Sequence, residues 1–129
     1  GTNERQIARA ALEAICFQVH DVLKAMEADS KQTISMLKAT GGATVNNYLM
    51  QFQSDIMNLR VERPFIMETT ALGVAYLAGI ASGYWKNIDD IKKSKKEDTQ
   101  YIPKMEETSR EKLLYGWKKA VESTRNFKT

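Results

Sequence analysis

The segment ISMLKATGGATVNNYLMQFQSDIMNLRVE, residues 34–62, decides the fold of this 129-residue chain. A short apolar run over residues 34–39 ends at Thr40-Gly41-Gly42, which predicts a strand leading into a tight turn. A helix is predicted over residues 44–58, and a brief second strand over residues 59–62. Strand, helix and strand with short connections predict a parallel pair joined by a right-handed crossover.

The residues before this segment predict a long first helix. Asn3 is followed three residues later by Gln6, a reciprocal capping pattern, so the helix is predicted from about Glu4 to about Ala28. Its apolar residues recur at helical spacing, and we expect this stripe to face the sheet. The stripe comprises Ile7, Ala11, Ala14, Ile15, Val22 and Met26.

The residues after the segment predict three more helices. Thr69 or Thr70 is predicted to cap a third helix that reaches about Ser82, and a short helix is predicted at residues 88–91. The run Thr108-Ser109-Arg110-Glu111 predicts a capping box for the last helix. Four apolar residues of that helix are predicted to point inward: Leu113, Leu114, Trp117 and Val121.

Small residues dominate the third helix. Each glycine in a helix interior costs about 1 kcal/mol relative to alanine, so close approach of another helix or of a ligand is expected to compensate. Dense helix packing is the favoured interpretation, and close approach of a ligand remains the alternative. The small residues are Gly73, Ala75, Ala78, Gly79, Ala81 and Gly83.

The predicted fold class is α/β, and it is helix-rich. The order is helix, strand, helix, strand, helix and a helical tail. Two short strands do not make a stable sheet alone, so the chain is expected to be missing the first strands of its sheet.

Composition excludes several classes of protein. A net charge of +3 is too small to indicate nucleic-acid binding by itself. The lysine run over residues 92–96 has no interleaved aromatic residue and is interpreted as a solvated turn. No apolar run reaches the roughly 18 residues of a membrane span. The lone Cys16 fits a reducing compartment, which favours the cytoplasm.

The two glycines after the first predicted strand form a candidate ligand site. Glycine lets a ligand approach the backbone, and a helix start offers free N–H groups and the positive end of the helix dipole. Asn46 and Asn47 add amide groups, so Gly41, Gly42 and Asn46 make a plausible nucleotide seat. Many such turns only change the chain direction, and that reading stays open. No Gly-Lys-Ser/Thr follows, so the turn is not a P-loop.

The same residues resemble glycerol kinases, within the FGGY group of carbohydrate kinases. That family carries a block like Asp-Gly-Gly-Ala-x-x-Asn-Asn-x-x-Met-Gln-Phe-Gln-x-Asp, and residues 40–55 read TGGATVNNYLMQFQSD. The resemblance continues through Val61-Glu62-Arg63-Pro64, Glu68-Thr69-Thr70-Ala71-Leu72-Gly73 and Gly116-Trp117-Lys118-Lys119-Ala120-Val121. Gln6 to Glu13 resembles the second half of the FGGY signature. The likeness runs over practically the whole chain.

The resemblance implies an actin-like, ribonuclease-H-like ATPase fold and phosphorylation of glycerol to glycerol 3-phosphate with MgATP. Residues 1–129 would be the partial C-terminal nucleotide-binding domain of such a kinase. In the family pattern Gly42 lies against ATP, Gly41 keeps the turn tight, and Asn46, one turn into the helix, contacts the nucleoside. The catalytic aspartate and the glycerol-binding residues match nothing here, so the chain alone is expected to be inactive.

One departure from the family pattern concerns magnesium. Thr40 stands where the family usually has aspartate, so any link from this turn to Mg²⁺ is in doubt. The chain offers no metal-binding set of its own, since His20 is its only histidine and is interpreted as a helix-surface or packing residue. Cys16 has no nearby base, and Asp89 and Asp90 point in different directions on a helix, so none is expected to be catalytic.

Two other functions remain open on the residues alone. A non-enzymatic helical interaction module would be distinguished by the upstream sequence, and a basic nucleic-acid binder by a steep fall of binding with salt. For the kinase interpretation, ATP and ADP are the expected partners, and glycerol would be bound by the part outside this chain. A homo-oligomer is expected, because an unpaired strand edge attracts another chain.

Overall fold

A long helix, α1 (Glu4–Ser30), opens the computed structural model, which describes residues 1–66, 68–94, 96 and 98–127. The Asn3–Gln6 capping box predicted from the sequence is confirmed in both directions, with Gln6 N donating to Asn3 Oδ1 at 3.0 Å and Asn3 N donating to Gln6 Oε1 at 2.9 Å. The helix runs two residues beyond the predicted end and closes at Lys31, whose backbone is left-handed at φ 55°.

Three strands form one sheet in the order β1-β2-β3: β1 (Met36–Lys38), β2 (Arg60–Arg63) and β3 (Thr99–Tyr101). The predicted parallel pair is confirmed, with Leu37 opposite Val61. Strand β1 is shorter than the strand predicted over residues 34–39. The third strand was missed by the sequence analysis, and it pairs antiparallel with β2. Of the lysine run predicted to be a solvated turn, Lys92 and Lys93 lie instead in a helix, Ile88–Ser94, and Lys95 lies outside the described residues, as does Glu97.

The crossover between β1 and β2 has two parts. A 3-10 turn (Gly42–Val45) comes first, and helix α2 (Asn47–Met57) follows. The predicted helix start at Thr44 is therefore wrong by three residues, because the chain first winds with tighter i to i+3 bonds. Asn58, at φ 53°, ends α2 in the left-handed region.

The core lies between α1, α2 and helix α5 (Glu107–Arg125). Its centre is Cys16, Phe17 and Ile56, and Phe17 stacks on Trp117 with ring centroids 5.3 Å apart. Of the residues predicted to face inward from the last helix, Leu113, Leu114 and Trp117 pack against this cluster. A second cluster of Met50, Val61 and Tyr101 joins α2 to the sheet.

The apolar stripe predicted to face the sheet from α1 is instead exposed, except for the half-buried Ala14. Ile7 and Val22 are 63% and 59% exposed, and Ile15 and Met26 are also solvent-facing. The buried face of α1 is the opposite one, which carries Cys16 and Phe17.

Helix α3 (Thr69–Ala81) and helix α4 (Ile88–Ser94) complete the fold. No residue of α3 is buried in the described part of the chain, so dense helix packing does not explain all its small residues. Gly79 is explained, because a Cβ there would lie 2.3 Å from the Trp85 ring.

Two predicted caps are wrong. Glu68 and Glu106 occupy the N-cap positions of α3 and α5, and neither makes a side-chain cap bond. Thr69 and Thr108 lie inside the helices instead. Within the described residues, no helix is both long and apolar enough to cross a lipid bilayer.

Candidate nucleotide-binding site

The two glycines of the predicted site lie at the carboxyl end of β1, where the chain leaves the sheet. The ladder ends at the bond from Ala39 N to Glu62 O, 2.9 Å. Gly41 and Gly42 then turn the chain, and both are exposed. In sheets with parallel strands, ligands bind outside the carboxyl ends of those strands. The fold therefore presents this turn where a ligand site is expected.

The two glycines serve different purposes. Gly41 has φ 100° and ψ 168°, a conformation that is essentially restricted to glycine. Gly42 has no positive φ, and a Cβ built on it meets no heavy atom within 4 Å. Gly41 is required by the backbone of the turn, whereas nothing within the described chain requires glycine at position 42.

Backbone donors are left available on the outside of the turn. Thr44 closes it, since its N–H and its hydroxyl both donate to Gly41 O, at 3.0 Å and 2.7 Å. The N–H groups of Gly42 and Ala43 make no hydrogen bond within the part of the chain that the structure describes. Two adjacent N–H groups without an acceptor, in exposed residues of which the first has no side chain, suit an anion or a nucleotide oxygen.

Asn46 lies at the start of α2, not one turn into it as predicted. It is the N-cap, and its Oδ1 accepts a hydrogen bond from Leu49 N at 3.1 Å. The cap is worth about 0.5–2 kcal/mol to the helix. With Oδ1 committed, the Nδ2 amide group is what Asn46 can offer to a ligand. Gly41, Gly42 and Asn46 are thus brought into one exposed turn and its adjoining helix cap.

A network behind the turn was not foreseen from the sequence. Arg63 Nη1, at the end of β2, donates to Thr44 O at 2.8 Å and to Asn47 Oδ1 at 2.9 Å. Tyr101 of β3 donates its hydroxyl to the same Asn47 oxygen at 2.8 Å. The Arg63 guanidinium carbon also lies 5.5 Å from the centre of the Tyr101 ring. We call Arg63, Asn47 and Tyr101 the Arg63 clamp.

A cavity of about 450 Å³ borders the turn on the other side, at Thr40. It is mostly apolar and carries two lysines, Lys38 and Lys96. Lys38 is held 3.7 Å from both Glu62 and Asp98, and the Lys96 ammonium lies 4.5 Å from the centre of the Phe65 ring. Thr40 is exposed at the rim of this cavity. Its neutral hydroxyl attracts a cation less strongly than the carboxylate of an aspartate at the same position would.

The other candidate groups are structural. Cys16 is fully buried, donates to Leu49 O at 3.6 Å, and has its pKa raised to about 12 by burial, so it is no nucleophile. His20 lies beside Asp21, with Nδ1 to Oδ1 at 3.3 Å. Asp89 and Asp90 of α4 pair separately with Lys92 and Lys93. No cluster of three or more His, Cys, Asp or Glu with metal-binding geometry occurs among the described residues.

Comparison with known proteins identifies a family. Residues 1–82 match the sequence model of the FGGY family of carbohydrate kinases, C-terminal domain. The whole chain is similar to a Plasmodium falciparum glycerol kinase crystallised with ADP, with 33% identity and a TM-score of 0.82 over 100% of this chain and 26% of that chain.

Two kinases from Lactobacillus acidophilus share the fold. A gluconate kinase aligns with TM-score 0.68 and 20% identity, and a ligand-bound xylulose kinase with TM-score 0.66 and 22% identity, each over 98% of this chain and 26% of theirs. The chain thus spans about a quarter of the length of these relatives. The predicted actin-like ATPase fold class is confirmed.

Proposed function

This chain belongs to the FGGY family of carbohydrate kinases, and we propose that it is the ATP-binding part of a glycerol kinase, residues 1–129 forming part of the C-terminal nucleotide-binding domain. The complete enzyme would transfer the terminal phosphoryl group of MgATP to glycerol and form glycerol 3-phosphate. The likeness to the Plasmodium glycerol kinase, at 33% identity, supports glycerol as the substrate. The two Lactobacillus kinases, at 20% and 22% identity, support the shared fold.

One observation carries the nucleotide assignment. Gly42 is an exposed glycine that neither its backbone angle nor its neighbours require, and its N–H and that of Ala43 make no hydrogen bond in the described chain. A glycine of this kind is explained when a ligand must approach the backbone closely. ATP offers phosphate and ribose oxygens for both N–H groups.

The residues of the turn would bind and orient ATP, and the chemistry would be completed elsewhere. Phosphoryl transfer depends on positioning and on stabilising charge, with a metal ion bridging the phosphates. Mg²⁺ is usually held by one or two carboxylates together with the phosphates, and Thr40 supplies no carboxylate at this turn. The described residues therefore do not fit as the magnesium site, and no step is assigned to the metal here.

The other expectations follow from this assignment. Glycerol would be bound by parts of the enzyme outside this chain, and the chain by itself would transfer no phosphate in a coupled assay. The free thiol of buried Cys16 fits a reducing compartment, so we place the enzyme in the cytoplasm.

The substrate assignment is tested by comparing kcat/KM of the complete kinase for glycerol, xylulose and gluconate with ATP as phosphoryl donor. A site built to hydrogen-bond hydroxyl groups discriminates strongly among polyhydroxylated substrates, because a polar group of the site that is left without a partner weakens transition-state binding. We expect glycerol to have the highest kcat/KM. A higher value for xylulose or gluconate would refute the assignment while leaving the ATP-binding role intact.

A further inference from the structure

The 3-10 turn that carries Gly42 is weakly held by its own bonds. Its hydrogen bonds join residues only three positions apart, as from Thr44 N to Gly41 O at 3.0 Å and from Asn46 N to Ala43 O at 3.2 Å. Bonds of this kind have poorer geometry than those of an α-helix. Two consecutive glycines also make the unfolded turn more flexible, which raises the entropy cost of ordering it. Something outside the turn must fix its shape.

The Arg63 clamp makes contacts of the kind required. Through one nitrogen, Arg63 bonds Thr44 O inside the turn and Asn47 Oδ1 in the first residue of α2. Tyr101 bonds the same Asn47 oxygen from β3, so β2 and β3 both hold the junction between turn and helix. The two N–H groups of Nη1 serve one oxygen each, and the planar guanidinium fixes the direction of both, whereas a lysine ammonium is a compact charge on a flexible stem.

We propose that Arg63, acting with Asn47 and Tyr101, is a positioning residue that holds the Gly41–Gly42 turn and the Asn46 cap in the shape that receives the nucleotide. The proposal rests on the proposed function. We assign Arg63 no contact with the ligand: it acts on the turn through the backbone oxygen of Thr44, a buried residue. Its effect is pre-organisation: when the turn is already ordered in the free enzyme, ATP binding does not carry the entropy cost of ordering it.

The consequence is a selective effect on ATP. Loosening the turn lowers the affinity for ATP, while a glycerol site built from other parts of the enzyme is left unchanged. A role in stability alone would lower the melting temperature and the yield of active enzyme, with the affinity of the folded molecules unaltered.

The test uses the complete kinase, with ATP affinity measured by calorimetry and the KM for ATP and for glycerol measured by steady-state kinetics. Arg63→Met keeps an unbranched apolar stem and removes all the donors, Arg63→Lys keeps the charge, and Tyr101→Phe removes one hydroxyl. Arg60→Met is the matched control, since Arg60 lies on the same strand and contacts Met36 and Glu62 instead of the turn.

We expect Arg63→Met to weaken ATP binding about 10-fold, because the turn loses both hydrogen bonds from a charged guanidinium, and such charge-assisted bonds are stronger than neutral ones. Arg63→Lys should restore part of the affinity, and Tyr101→Phe should lower it less than Arg63→Met does. The KM for glycerol should stay within about 2-fold of the unmodified value. Arg60→Met should bind ATP as the unmodified enzyme does.

Failure of this inference is separable from failure of the proposed function by including Gly42→Ala. If Gly42→Ala weakens ATP binding and folded Arg63→Met and Arg63→Lys do not, the clamp is structural only and the inference is wrong. If Gly42→Ala has no effect, or the unmodified kinase does not bind ATP, the nucleotide assignment itself is wrong. Equal rises in both KM values would also overturn the inference, since they would show general disruption.

Discussion

At the residue scale, the backbone conformation of Gly41 restricts which amino acids can occupy its position. Its φ of 100° with ψ of 168° is a conformation that costs other residues about 1–3 kcal/mol. Gly41→Ala in the complete kinase is therefore expected to lower Tm in calorimetry. Gly42→Ala is the control, because position 42 has ordinary φ and room for a Cβ, and its Tm should be unchanged. Equal Tm values for Gly41→Ala and the unmodified kinase would contradict this reading of the turn.

Asn46 caps α2 and is proposed to contact ATP, and a pair of substitutions separates these two roles. Serine caps helices as well as asparagine does but has no amide group, whereas alanine loses both functions. Asn46→Ser is expected to keep stability and weaken ATP binding about 2- to 10-fold, the equivalent of one hydrogen bond. Asn46→Ala should also lose about 0.5–2 kcal/mol of stability. Glycerol affinity should barely move in either variant.

The outcome of the Asn46 pair is decided by calorimetric titration with ATP. Unchanged ATP affinity in Asn46→Ser would show that Asn46 serves only as the helix cap. A loss of glycerol affinity in place of ATP affinity would show that the site has been placed wrongly.

The sequence predicts the residues of the candidate site better than their surroundings. Gly41, Gly42 and Asn46 are visible as a glycine pair before a polar helix start, and they lie together as expected. The Arg63 clamp joins three residues up to 54 positions apart, with Tyr101 to Asn47 the longest link. Local patterns carry no information on such pairings, which are fixed only when β2 and β3 come together.

At the element scale, α1 shows why periodicity alone does not give the buried face. The helix has two apolar stripes, and the more regular one, with Ile7, Ile15 and Val22, is exposed. The core uses the face with Cys16 and Phe17, because these pack against α2 and α5. Strand β3 was missed for a related reason, since three residues beside a charged run give little alternating pattern and are stabilised mainly by pairing with β2.

The α1–α2 interface is testable through Cys16. Its thiol is fully buried with a pKa raised to about 12, so the reactive thiolate is scarce below that pH. In the folded kinase at pH 8, alkylation of Cys16 by iodoacetamide should be very slow, and it should become fast in denaturant. Site-specific peptide mass spectrometry measures both rates. Rapid labelling of the folded protein would mean that α1 does not pack on α2 as described.

At the scale of the whole molecule, the chain exposes surfaces that favour association. Strand β1 is an edge of the sheet in the described part of the chain, and the outer stripe of α1 leaves Ile15 and Val22 in solvent. Open strand edges and apolar patches promote pairing with another chain. The isolated chain is therefore expected to form dimers or larger assemblies at micromolar concentration.

Light scattering tests this expectation, and a double substitution sharpens it. Ile15→Glu with Val22→Glu places charge on the exposed stripe and should shift the measured mass towards the monomer, because like charges on facing copies repel. A sharp monomer mass with cooperative unfolding for the unmodified chain would show that these surfaces need no partner.

Gly42 is proposed to be glycine because ATP lies against it. The most direct test is the ATP affinity of the complete kinase carrying Gly42→Ala, measured by calorimetry beside Gly116→Ala, a glycine of α5 that also has open space at its Cβ position. We expect the added methyl group at position 42 to weaken ATP binding by about tenfold or more, equivalent to at least 1.4 kcal/mol, with Tm unchanged. Gly116→Ala should not weaken it. ATP binding by Gly42→Ala as tight as that of the unmodified kinase would contradict the account.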